Sequence, residues 1–125
     1  MKTIRRTVLL LGCLLPLSWM WASAPGVTIC YHPASKGMYV GSPSICIMPN
    51  GDYIATHDLF ANSQTEYNTE VYKSEDRGLT WERQSVVKGQ FWSSVFCISD
   101  TLYLIGTDRE YGNLVVRRST DGKSW

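Results

Sequence analysis

From about residue 39 onward, apolar and polar positions alternate in short bursts separated by turn-forming clusters. Ser44-Ile45-Cys46-Ile47-Met48 is an apolar run of the kind a buried strand shows. Pro49-Asn50-Gly51-Asp52 is a strong turn signal, and Tyr53-Ile54-Ala55-Thr56-His57 predicts the antiparallel partner. A polar stretch over 61–68 leads to Thr69-Glu70-Val71-Tyr72-Lys73, which alternates with a strand period. Residues 74–78 read as a turn and 79–87 as a fourth strand. No segment carries a sustained helical period with start and stop signals.

The same order then returns. Phe96-Cys97-Ile98 parallels Ile45-Cys46-Ile47, and Ser99-Asp100 stands in for the first turn. Leu102-Tyr103-Leu104-Ile105-Gly106-Thr107-Asp108 parallels residues 52–58, which aligns Asp108 with Asp58, 50 positions apart. Val116-Arg117-Arg118-Ser119 parallels Val71-Tyr72-Lys73-Ser74 at a spacing of 45, the difference being a longer polar loop in the first copy. Four short strands per unit of 45–50 residues is a propeller-blade period.

The turn between the third and fourth strands is more specific. Ser74-Glu75-Asp76-Arg77-Gly78-Leu79-Thr80-Trp81 matches the Asp-box pattern Ser-x-Asp-x-Gly-x-Thr-Trp at every fixed position. Ser119-Thr120-Asp121-Gly122-Lys123-Ser124-Trp125 is a variant shorter by one residue. The chemistry of the motif is structural. A short acidic side chain accepts backbone N–H groups in a tight turn, glycine supplies a positive φ, and the tryptophan can pack between sheets. Ser74, Asp76, Gly78, Thr80, Trp81, Ser119, Asp121, Gly122 and Trp125 are therefore assigned to structure.

On these motifs residues 39–125 resemble the sialidase-like superfamily of Asp-box (BNR-repeat) β-propellers. The resemblance implies an all-β fold: the N-terminal portion, about two four-stranded antiparallel blades, of a propeller that is six-bladed when complete. Blade 1 would span 39–88 and an incomplete blade 2 would span 89–125, after a lead-in over 25–38. The second blade lacks its fourth strand, so the isolated chain is expected to expose an apolar sheet face. The remaining substrate arginines, the tyrosine nucleophile and its glutamate would lie beyond Trp125, and this portion alone is expected to be inactive.

Residues 1–24 read as a bacterial-type signal peptide. Lys2, Arg5 and Arg6 form its basic region, an apolar stretch broken by Pro16 follows, and Ala22-Ser23-Ala24 offers a cleavage site. The stretch is too short for a stable membrane span. The expected location is periplasmic, outer-surface or extracellular. Leu10-Leu11-Gly12-Cys13 looks like a lipoprotein box but follows too short an apolar run.

The composition, 44% hydrophobic and 18% charged, excludes a disordered or collagen-like chain. The net charge is +1, and removing the leader leaves nine basic against 11 acidic residues, a balance that argues against a nucleic-acid partner. Cys30, Cys46 and Cys97 follow the leader, so at least one is unpaired. No two of them have metal-ligand spacing, and neither His32 nor His57 completes a zinc pattern, so no metal or cofactor is expected.

The resemblance implies a glycoside hydrolase of the exo-α-sialidase type with a glycan or glycoconjugate partner. The family's first-strand Arg-Ile-Pro motif is replaced here by Gly41-Ser42-Pro43, and glycine cannot pair with a substrate carboxylate. A non-catalytic glycan- or protein-binding propeller is therefore the alternative, and a polysaccharide lyase with His57 as base is another. His57 and Asp58 close the second strand and are the candidate catalytic residues, as general acid or base and its partner. Gln90, Trp92, Arg109 and Glu110 are the candidate substrate contacts: an amide, an aromatic platform and two charged groups on the loop that follows Asp108.

Overall fold

The computed structural model describes residues 26–125, so the expected signal peptide lies outside the described residues. The described chain is all-β, with two antiparallel sheets, no closed barrel and one 3₁₀ turn at Ala34–Lys36. No helix among the described residues is long and apolar enough to cross a membrane. The first sheet holds β1 (Met38–Ile47), β2 (Tyr53–Ala61), β3 (Asn68–Ser74) and β4 (Glu82–Lys88) in sequential order. The second holds β5 (Phe91–Ile98), β6 (Thr101–Thr107) and β7 (Leu114–Ser119), the three strands that the incomplete second repeat predicts.

Two strand starts, those of β1 and β4, differ from the sequence pattern, each for a local reason. β1 begins at Met38, ahead of the apolar run, and Pro43 hides its continuity. Ser42 and Pro43 form a β-bulge opposite His57, where a missing N–H breaks no ladder. β5 begins at Phe91, as the sequence reading has it, with Trp92 and Ser93 in a matching bulge opposite Gly106. β4 begins at Glu82 because residues 79–81 stay in the Asp-box turn.

The bulges also correct the repeat alignment. Gly41 pairs with Asp58 and Phe91 pairs with Thr107, so the counterpart of Asp58 is Thr107 and not Asp108. The hairpin turn of the second sheet is one residue shorter than that of the first, which shifts everything on β6 by one.

A shared core lies between the sheets. Ile54, Val71 and Val87 from the first meet Val95, Leu102 and Leu104 from the second, with Trp125 packed against them. Burying each such aliphatic side chain contributes about 1.5–3 kcal/mol. The Asp-box turns close the end of the sheets where β3 and β7 finish. Asp76 Oδ1 accepts the Ser74 hydroxyl and the Thr80 N–H, both at 2.8 Å. Asp121 Oδ1 accepts the N–H groups of Lys123 (2.8 Å) and Ser124 (2.9 Å). Trp125 Nε1 reaches Ser85 Oγ on β4 at 3.1 Å and so ties the second turn to the first sheet.

The outward faces of both sheets carry exposed apolar side chains. On the second sheet Phe96, Ile98, Ile105, Leu114 and Val116 are exposed, and Phe96 stacks on Tyr103. On the first sheet Val40, Ile45 and Ile47 are exposed.

Candidate functional site

His57 and Asp58 are adjacent on β2, and strand pleating sends their side chains to opposite faces. They therefore do not form an acid–base pair through their side chains. Asp58 points between the sheets and is 0% exposed. Its Oδ1 accepts the Thr69 hydroxyl at 2.5 Å, and its Oδ2 accepts the Ser93 N–H at 3.1 Å. Burial pushes its carboxyl above the ordinary range, against hydrogen bonds from Thr69, Ser93 and Ser42 that pull the other way. Gln90 belongs to the same sealed network: it is 0% exposed, and its Nε2 donates to Ser93 Oγ at 3.0 Å. Neither side chain meets solvent, so both act here as joints between the sheets.

Gly41, where the resemblance asks for an arginine, has no room for any side chain. A Cβ built there would lie 2.6 Å from Phe60 Cε2. That ring is held between Tyr39 (centroids 5.2 Å apart) and Phe91 (4.7 Å).

His57 faces outward from the pair of sheets, under the lead-in segment. Its ring stacks on Tyr72 at 5.5 Å and meets the edge of His32 at 6.3 Å. His57 Nδ1 lies 3.3 Å from the Asp58 carbonyl oxygen, which only an N–H can satisfy. In the tautomer that carries the proton on Nδ1, Nε2 presents a lone pair. Nε2 is 3.4 Å from Glu70 Oε2 but off the line of a hydrogen bond, and it is buried without a partner. Glu70 is itself buried, accepting the Tyr72 hydroxyl on Oε2 (2.5 Å) and Arg83 Nη1 on Oε1 (3.0 Å). Burial, with Cys30 and Glu70 alongside, pushes the Tyr72 phenol well above its ordinary range. One ligand-type atom each from Cys30, His32 and Glu70 lies within 4.8 Å of the others. Beside this cluster runs an open, mostly apolar groove of about 660 Å³, lined by Ile29, Val40, Pro43, Ile45, Ala55 and Tyr72 among others.

The remaining candidates collect at the end of the sheets opposite the Asp-boxes. Trp92, in the β5 bulge, is 43% exposed at φ 50, and Tyr111 is 89% exposed at φ 54. Their rings meet edge-on at 6.2 Å. A bulky residue at positive φ is strained by about 1–3 kcal/mol, and such strain clusters at functional sites. Phe91 continues the aromatic row behind Trp92, 5.5 Å away, and Tyr67 abuts Phe91 at 5.1 Å. Arg109 and Glu110 are exposed on the same loop as Tyr111. Asp108 organises that loop by accepting the N–H (2.8 Å) and Nδ2 (3.0 Å) of Asn113, which hold its carboxyl below the usual range. Arg109 and Lys88 line a groove of about 480 Å³ with Glu66 and Tyr67.

Of the sequence candidates, Trp92 is brought against Tyr111, an aromatic in the charged loop that the sequence did not single out, and Arg109 lies on that same loop. The sequence did not bring Glu70, on β3, together with Cys30 and His32, which lie two residues apart in the lead-in. No family model, curated protein or solved structure matches this chain.

Proposed function

We propose that this chain supplies the first blades of an exported, sialidase-like Asp-box propeller that binds an acidic glycan without sialidase chemistry of its own on these blades. The observation that carries the reading is the Trp92–Tyr111 pair, two exposed aromatic rings held edge to face on strained backbone. A flat apolar ring face with polar groups around it is a platform for a sugar ring, much as aromatic anchors serve other interfaces. Arg109, on the same loop as Tyr111, is the cation that would pair with an acidic sugar; it lines a neighbouring groove together with Lys88, Glu66 and Asp108.

Other features support the propeller part. Two Asp-box turns occupy the same place in two successive sheets, and the outward face of the second sheet exposes Phe96, Ile98, Ile105, Leu114 and Val116 in the way that a blade flanked by a further blade requires. Against hydrolysis on these blades stand the sealed Asp58 carboxylate and the Phe60 ring filling the space over Gly41.

The test is an array of immobilised neutral, sialylated and uronate-containing glycans, probed with the full-length protein and with Trp92→Ala. The reading expects retention on acidic glycans, lost in Trp92→Ala, with no release of free sugar. Turnover of a sialoside would instead support the exo-α-sialidase-like hydrolase, and products carrying an unsaturated uronate would support a lyase.

A further inference from the structure

We infer that Cys30, His32, His57 and Glu70 form a site for a zinc-type divalent transition-metal ion that clasps the lead-in segment onto the outward face of the first sheet. This face is opposite the one that meets the second sheet, so the inference stands apart from the glycan reading.

The donor set is a thiol, two imidazoles and a carboxylate, a combination that suits a borderline-soft, four-coordinate cation. A thiolate and a carboxylate also balance a dication's charge, which matters in a buried place. Three of the groups already lie within 4.8 Å of one another. His57, 8% exposed, adds an Nε2 lone pair 3.4 Å from Glu70 Oε2. Two lone-pair-bearing atoms held that close repel unless a cation or proton lies between them. His32 Nδ1 is also buried without a partner.

The surroundings match what orients metal ligands elsewhere. A ligating histidine donates its other ring N–H to a carbonyl or carboxylate, as His57 Nδ1 does to the Asp58 carbonyl. A ligating carboxylate is itself hydrogen-bonded, as Glu70 is by Tyr72 and Arg83. Cys46 and Cys97 pack on the core between the sheets, so Cys30 is the thiol left at this face.

Co²⁺ titration of the full chain, stripped with chelator under reducing conditions, tests the site. We expect one equivalent of Co²⁺ to give a thiolate-to-cobalt charge-transfer band that Zn²⁺ displaces. Cys30→Ser removes the band, His57→Gln weakens binding by at least about tenfold, and Cys46→Ser leaves both unchanged. Should either ligand variant fail to fold, zinc must still raise the Tm of wild type and of Cys46→Ser. No band in wild type, a band that survives in Cys30→Ser, a band lost equally in Cys46→Ser, or a Tm indifferent to zinc would each overturn the site.

Discussion

Asp58 on β2 accepts the backbone N–H of Ser93 on β5 at 3.1 Å, a charge-type hydrogen bond that joins the two sheets through a carboxylate sealed from solvent. Removing it strands the buried Ser93 N–H and takes one acceptor from the Thr69 hydroxyl, which keeps the Gln90 carbonyl and Ser93 Oγ at 3.0 Å. Asp58→Ala is therefore expected to cost about 2–4 kcal/mol. Asp58→Asn, which keeps an acceptor, should cost less. Denaturant unfolding of both variants checks the order, and equal losses would disprove the acceptor role.

The Gly41–Phe60 contact makes a second prediction. Gly41→Arg should not create sialidase activity and should destabilise by about 1–3 kcal/mol through overpacking. Gly41→Arg combined with Phe60→Ala should recover part of the packing strain while losing the Phe60 burial. A double-mutant cycle measures this coupling, and additive effects would contradict the steric account.

Acid stability follows from the Asp-boxes. The Thr80 hydroxyl and N–H, with Ser74, hold the Asp76 carboxyl down to about 2, and the N–H groups of Ser124 and Lys123 do the same for Asp121. A depressed folded-state value means stabilisation that is complete above about pH 4, where the unfolded carboxyl is ionised, and lost as pH falls toward 2. The raised Asp58 runs the other way and weakens the fold as pH rises through its own range. Asp76→Asn and Asp121→Asn should flatten the acid limb of stability against pH. An unchanged limb in both variants would refute this assignment.

The apolar outward face of the second sheet gives a fourth expectation. Ile105 and Val116 are directly paired across β6 and β7 and both are exposed. Residues 26–125 alone should self-associate through this face, and Ile105→Lys with Val116→Glu should reduce the association. Sedimentation velocity distinguishes the two, and a monomeric, cooperatively unfolding wild type would contradict the exposed-face reading.

The fold was legible in the sequence where chemistry is local. Alternation placed β2, β3 and β6 closely, and the Asp-box residues carry their turn geometry in their order, down to the Ser74–Asp76–Thr80 bonds. What alternation does not encode was missed. The bulge at Ser42–Pro43 broke the period and hid the start of β1. The one-residue difference between hairpin turns displaced Asp108 from the register of Asp58. At the candidate sites, His57 and Asp58 read as one unit because they are neighbours in sequence, yet strand pleating separates them. Cys30 and His32 are two residues apart, but they meet Glu70 on β3 only through tertiary packing, which a spacing rule cannot detect.

The most direct test of the glycan reading is calorimetric titration of the full-length protein with sialyllactose and with a hexuronate oligosaccharide. The account predicts that at least one of the two binds. It further predicts that Trp92→Ala weakens that binding by about tenfold or more, the loss of one aromatic anchor, and that Arg109→Gln weakens it with a reduced dependence on salt. Equal affinity in wild type and Trp92→Ala, or no heat with either sugar, would contradict it.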